Sequence, residues 1–208
     1  MSKPNGYTIT LLRAGETSWD QEHRIIGATD LPMTELGTDH VAKAVHEGNF
    51  ENPFSLVLVS DEEAAAVAAK MLPKGTETKV RTVPELSNVG MGLWEGVLER
   101  DLEERNPSSY NQWRDHPERI TPPEGESLTD AQERLIRSIR KQIIKCKGNR
   151  PSIAIVLRPF AWALVRCWLS NEKVCSFWSQ LETPVTVEHF ELEKSRLDEY
   201  KQRTKASA

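Results

Sequence analysis

The residues best placed to do chemistry gather near the N-terminus. Arg13-Ala14-Gly15-Glu16-Thr17 follows directly on Tyr7–Leu12, a β-branched and apolar run with the character of a buried strand. In α/β folds, side chains leaving the end of such a strand converge outside the sheet, where ligands bind. Asp20 adds a carboxylate to the same loop, and a second arginine, Arg158, ends another apolar run, Ser152–Leu157. Arginines at such ends suit a phosphate, sulfate or carboxylate, because a guanidinium presents paired N–H donors to two oxygens. The five histidines are His23, His40, His46, His116 and His189. None stands at metal-ligand spacing from another histidine or a cysteine, so no metal and no cofactor is expected. Cys146, Cys167 and Cys175 form no CxxC pair and fit a reducing compartment; Cys146 and Cys167, in apolar surroundings, read as buried and inert.

These residues need elements to hold them, and strands alternate with helices along the chain. Apolar residues at 36, 41, 42 and 45 mark a helix over Leu36–Val45, and Phe54–Val59 is a continuous apolar run suited to a central strand. Asp61-Glu62-Glu63 opens an alanine-rich helix through Leu72, with carboxylates at the positive end of its dipole. Thr78–Val83 reads as a short strand, Leu86–Gly96 as loop and Val97–Asn106 as helix. Ser127 and Asp130 form a capping-box-like start for a helix carrying Leu128, Ala131, Leu135, Ile139 and Ile143 on one face. Phe160–Leu169 is an apolar helix, and Val185–Leu192 alternates like an edge strand. The stretch at about 107–126 holds four prolines and reads as an irregular insert or lid. The charged tail from about 193 reads as frayed. This order predicts an α/β fold: a three-layer α/β/α sandwich with a mostly parallel central sheet, in a single domain spanning residues 1–208.

Composition narrows the function. Lys plus Arg is 27 against 31 for Asp plus Glu, a net charge of −4, so there is no overall basic field for nucleic acid. No apolar run approaches the roughly 20 residues that span a bilayer, and the N-terminus lacks an apolar signal segment. A cytoplasmic protein without nucleic-acid or membrane partners is expected.

After Arg13–Thr17 come Trp19, Asp20, Arg24, Gly27, Asp30, Pro32, Thr34, Glu35 and Gly37. In order and spacing they resemble the opening of the histidine phosphatase (phosphoglycerate mutase-like) superfamily: Arg-His-Gly-Glu-Thr, Trp-Asn, then Arg…Gly…Asp…Pro-Leu-Thr…Gly. Trp94, Glu95, Gly96 and Gly125-Glu126-Ser127 also match that family's scaffold, and the resemblance runs from Tyr7 to about Leu192. It implies a phosphatase or phosphomutase fold. The family's chemistry uses a nucleophilic histidine, two arginines and a second histidine around the phosphoryl group, and a carboxylic acid for the leaving oxygen.

Mapped residue by residue, most of that machinery is missing. The first arginine is Arg13, but the nucleophile position is Ala14. The second arginine falls on Ala64, the acid on Asn88 and the second histidine on Arg158. Asn88 has no proton to give, and the guanidinium of Arg158 stays charged and cannot act as a nucleophile. Replacement of the nucleophile alone would account for Ala14 but not for the other three. The resemblance therefore implies a catalytically inactive family member with a binding or regulatory role. Its ligand pocket would draw on Arg13, Arg158, Asn88, Asp20 and Gly27 to hold a phosphate-like anion or phosphorylated ligand. The alternative inside the pocket is an ion pair of Arg158 with Glu16, Asp61 or Glu62 that fills the ligand's space. A hydrolase with residual or relocated chemistry, through His23, Asp20, Asp61 or Glu62, stays open, as does a protein partner or a homodimer. A carboxylate at Asp20, where the family has asparagine, repels phosphate and favours pairing with Arg13 or an uncharged or cationic ligand.

Overall fold

The computed structural model describes residues 5–198. In chain order its strands and α-helices are β1 (Gly6–Arg13), α1 (Ser18–Gln21), α2 (Glu35–Glu47), β2 (Leu56–Val59), α3 (Glu63–Met71), β3 (Lys79–Thr82), α4 (Glu99–Arg105) and α5 (Pro107–Asp115). They continue with α6 (Leu128–Ile143), β4 (Ser152–Leu157), α7 (Pro159–Leu169), α8 (Phe177–Leu181) and β5 (Val187–Glu193). The strands form one sheet in the order β3-β2-β4-β1-β5, with β5 alone antiparallel. Register between the two central strands pairs Ile9 with Ile153, Leu11 with Ile155 and Arg13 with Leu157. Arg13 and Arg158 therefore leave neighbouring parallel strands at the same end of the sheet.

The period-2 geometry of strands splits the core in two. Ile9, Leu11, Leu58, Ile153 and Ile155 pack against α6 and α7, where Leu135, Ile139, Trp162 and Val165 are buried. Leu12, Val57, Val59, Ala154 and Val156 point the other way, onto Val41 of α2 and Ala65 and Ala68 of α3. Both faces of β2 and β4 are covered, which is why these strands read as unbroken apolar runs. Each large aliphatic side chain so buried stabilises the fold by about 1.5–3 kcal/mol relative to exposure. Ser127 caps its helix as the sequence implies, its Oγ accepting from Asp130 N at 3.1 Å, and Thr34 caps α2, its Oγ1 accepting from Gly37 N at 3.0 Å. Among the described residues no helix is long and apolar enough to cross a membrane.

Two expectations need correction. The stretch at 107–126 is not irregular throughout. Pro107 stands at the first turn of α5, where a fixed φ starts a helix rather than breaking it. Trp113 of that helix is buried edge-to-face against Trp94 at 5.5 Å and Trp178 at 4.6 Å, so the segment is anchored in the core. Nor is the chain frayed from 193. Leu197 is fully buried, and Arg140 Nε donates to its carbonyl at 3.0 Å. The rest of the expected loose tail lies outside the described residues.

Candidate functional site

The loop after β1 is shaped by a close approach of two glycines. A Cβ on Gly15 would lie 2.1 Å from the Gly37 carbonyl oxygen, so only glycine lets the start of α2 press against the Arg13–Thr17 turn. The Arg13 guanidinium lies 5.2 Å from the Trp162 ring and donates to the Leu181 carbonyl at 3.0 Å. Burial lowers its pKa, opposed by the nearby carboxylates of Asp20 and Glu188. Asp20 folds back on its own turn: Oδ2 accepts from Thr17 N at 2.6 Å and Thr17 Oγ1 at 2.9 Å. Burial raises its pKa, against those hydrogen bonds and the charge of Arg158.

Behind this loop sits a buried polar bracket. Arg158 is 0% exposed; its Nη1 donates to the Thr29 carbonyl at 2.6 Å and lies 3.3 Å from Glu62 Oε1. Glu62, 4% exposed, also accepts from Ser60 Oγ at 2.8 Å and from Asn88 N at 3.1 Å. Burial pushes the Glu62 pKa up, and Arg158 is the largest influence opposing it. Because the carboxylate is turned inward, it does not cap α3, which starts at Glu63 rather than Asp61. Asp30 Oδ1 takes over that role, accepting from Glu63 N at 2.9 Å.

Asn88, 1% exposed, uses both ends of its amide. Nδ2 donates to the Gly27 carbonyl at 3.0 Å, and Oδ1 accepts from Ala161 N, at 2.9 Å, in the first turn of α7. It thus satisfies one of the N–H groups that a helix start leaves open. Gly27 itself allows Glu95 to come close, since a Cβ there would sit 2.3 Å from Glu95 Oε1. Glu95 accepts from the backbone N–H groups of Ala28, Thr29 and Met91 at 2.9–3.0 Å and from the Thr29 hydroxyl. Burial works against its ionisation, but these hydrogen bonds outweigh it and hold its pKa below the usual range.

A cavity of about 670 Å³ opens beside the bracket. Arg13, Glu16 and Asp20 line it together with buried Ile26 and Phe160; one face of α2 and the 181–186 segment complete its walls. The positions expected to contact a ligand therefore divide. Arg13 and Asp20 line the cavity, whereas Arg158, Asn88 and Gly27 join each other in the interior and do not line it. The expectation that Arg158 points into an open pocket is corrected: Glu62, one of its three candidate partners, holds it. Asp20 is held by Thr17 rather than ion-paired with Arg13. Ala14 and Ala64 are buried in the α2/α3-side core, at 1% and 0% exposure. His23 lines a separate hollow with Glu99 and Tyr110 and is not among the residues that line the Arg13 cavity. The sequence does not mark Trp162, under Arg13, as a site residue, and the Trp-Glu-Gly match at 94–96 is its one signal for Glu95, under the 27–29 loop.

An arginine at the end of β1 thus lines a ligand-sized cavity beside a mixed α/β sheet, and a second, at the end of β4, is buried behind it. The sequence profile of the histidine phosphatase superfamily (branch 1) matches residues 9–202, and the chain belongs to that family. The adenosylcobalamin/alpha-ribazole phosphatase of Salmonella typhimurium is 30% identical over 170 residues, covering 82% of this chain and 83% of its own. Among solved structures, YhfR of Bacillus stearothermophilus superposes with a TM-score of 0.72 at 21% identity, over 83% of this chain and 84% of that one. A mycobacterial glucosyl-3-phosphoglycerate phosphatase in complex with VO3 superposes with a TM-score of 0.70 at 21% identity, over 83% and 86% of the two chains.

Proposed function

We propose that this chain is a non-hydrolysing histidine phosphatase: a binding or regulatory protein that keeps the family frame without its reaction. The observation that carries this reading is the pairing of Arg158 with Glu62, which ties the guanidinium to the interior instead of to a phosphoryl group. The other three replacements agree with it. A methyl group at Ala14 cannot attack phosphorus, Ala64 offers no donor, and both ends of the Asn88 amide are committed to backbone. Charge points the same way. Arg13 and Arg158 are set against Glu16, Asp20 and Glu62, so a phosphate dianion finds no net positive field. Anion binding then falls to Arg13, the one family arginine facing the cavity.

Relatives act on phosphoesters, so p-nitrophenyl phosphate is the test substrate. The native chain is expected to turn it over no faster than buffer. The second reading, a hydrolase with relocated chemistry, draws on the carboxylates of Asp20 and Glu16 beside Arg13. Turnover above background that disappears in Asp20→Asn or Glu16→Gln would establish that reading and overturn the proposal.

A further inference from the structure

The inner walls of the Arg13 cavity carry charges of both signs, on Arg13, Glu16 and Asp20, that among the described residues form no salt bridge with one another. Arg13 is half-buried, and among the described residues it makes no salt bridge; its one polar partner is the Leu181 carbonyl. Glu16 and Asp20 likewise make none. Glu16 Oε1 is oriented by neutral donors, Gln21 Nε2 at 2.8 Å and Thr34 Oγ1 at 3.1 Å, and Asp20 by the Thr17 backbone and hydroxyl. At the rim, Lys43 and Glu47 pair along α2 at 3.9 Å and cancel, and the exposed side chains of His40 and Glu182 also line the cavity. What remains at the inner end is one guanidinium, two carboxylates fixed in orientation, and an apolar wall of Ile26 and Phe160.

A lone anion would meet Arg13 but face both carboxylates, and a lone cation would meet the reverse. We propose that the cavity binds a small zwitterion, a molecule carrying a protonated amine and an anionic oxygen group on one short skeleton. The anionic group seats on Arg13 and the amine on Asp20 and Glu16, while the skeleton lies along Ile26 and Phe160. This assignment rests on the reading that the cavity binds rather than hydrolyses, but the two fail separately. Hydrolysis is scored by turnover, and this inference by binding.

The probes are 4-aminobutyrate and 6-aminohexanoate, each set against the matching carboxylate and the matching amine, with inorganic phosphate as a further ligand. Binding is read by calorimetry and by tryptophan fluorescence, to which Trp162 beneath Arg13 contributes as one of six tryptophans. At least one zwitterion should bind about tenfold more tightly than both of its single-charge counterparts and than phosphate, as expected for one charge-assisted hydrogen bond lost. Asp20→Asn keeps an acceptor for Thr17 and removes the charge. It should weaken the zwitterion about tenfold and leave the carboxylate probe unchanged or tighter. Arg13→Gln should weaken zwitterion and carboxylate alike. Phosphate or the simple carboxylate binding as tightly as the zwitterions would overturn the proposal. So would the absence of saturation by either zwitterion up to about 10 mM. The native-chain series decides the matter even if a variant fails to fold.

Discussion

Replacing Glu62 with glutamine tests how Arg158 is held. The substituted amide keeps an oxygen to accept from Ser60 Oγ and the Asn88 N–H, so the change removes charge and little else. Arg158, 0% exposed, is left as a buried cation whose remaining partner among the described residues is the Thr29 carbonyl; its Nε and Nη2 have no hydrogen-bond partner among those residues. Stranding a buried charge in this way costs about 3–5 kcal/mol. Against a typical total stability of about 5–15 kcal/mol that is a large fraction. At this chain length it corresponds to a fall in Tm of about 6–20 °C. Adding Arg158→Met removes the stranded charge, so the double variant should regain about 2 kcal/mol or more over Glu62→Gln alone. Urea denaturation of the native chain, both single variants and the double variant supplies the cycle. If Glu62→Gln changes stability by less than about 0.5 kcal/mol, Arg158 is not held by Glu62 and the account of a filled phosphoryl site fails.

Other predictions follow from the same bracket. Arg158→Met alone leaves Glu62 buried and unpaired, with its folded pKa further above the unfolded value. Its penalty should deepen as pH rises through that folded value and shrink on acidification, as seen in stability curves at several pH values. Glu95 behaves oppositely. Its folded pKa is depressed, so its contribution is present above the ordinary glutamate range and lost as pH falls through the folded value; Glu95→Gln should flatten the acid limb of the profile. Asn88→Glu by itself should cost about 1–3 kcal/mol, because an ionised carboxylate cannot donate to the Gly27 carbonyl. Alkylation of the native chain should label exposed Cys175 and spare Cys167, whose thiol burial pushes up to about 12.

Much of the fold could be read in advance because periodicity and burial coincide. The unbroken runs of β2 and β4, the α6 stripe and the Ser127 cap each follow from local pattern, and each stands close to where the pattern puts it. Proline misled where its role depends on position: Pro107 starts α5, and what holds that helix is a set of tryptophan contacts far apart in sequence. The positions that the family resemblance assigns to catalysis, Ala14, Ala64, Asn88 and Arg158, can be located because each lies inside a recognisable motif. Their partners are only partly legible. Arg158 meets Glu62 across 96 positions, and Asn88 reaches Gly27 and Ala161 across 61 and 73. Local propensity says nothing about such pairings. The zwitterionic character of the cavity was foreshadowed by Asp20 alone; the orientation of Glu16 and the apolar wall come from the tertiary arrangement.

The central claim is that the family frame persists with its chemistry replaced. The most direct measurement is phosphomonoester hydrolysis by the native chain beside a variant carrying Ala14→His, Ala64→Arg, Asn88→Glu and Arg158→His. The account predicts a native chain at background and a restored chain that turns over, through an acid-labile phosphohistidine that alkaline-quench trapping detects. A native chain that hydrolyses the ester as fast as the restored one would contradict it.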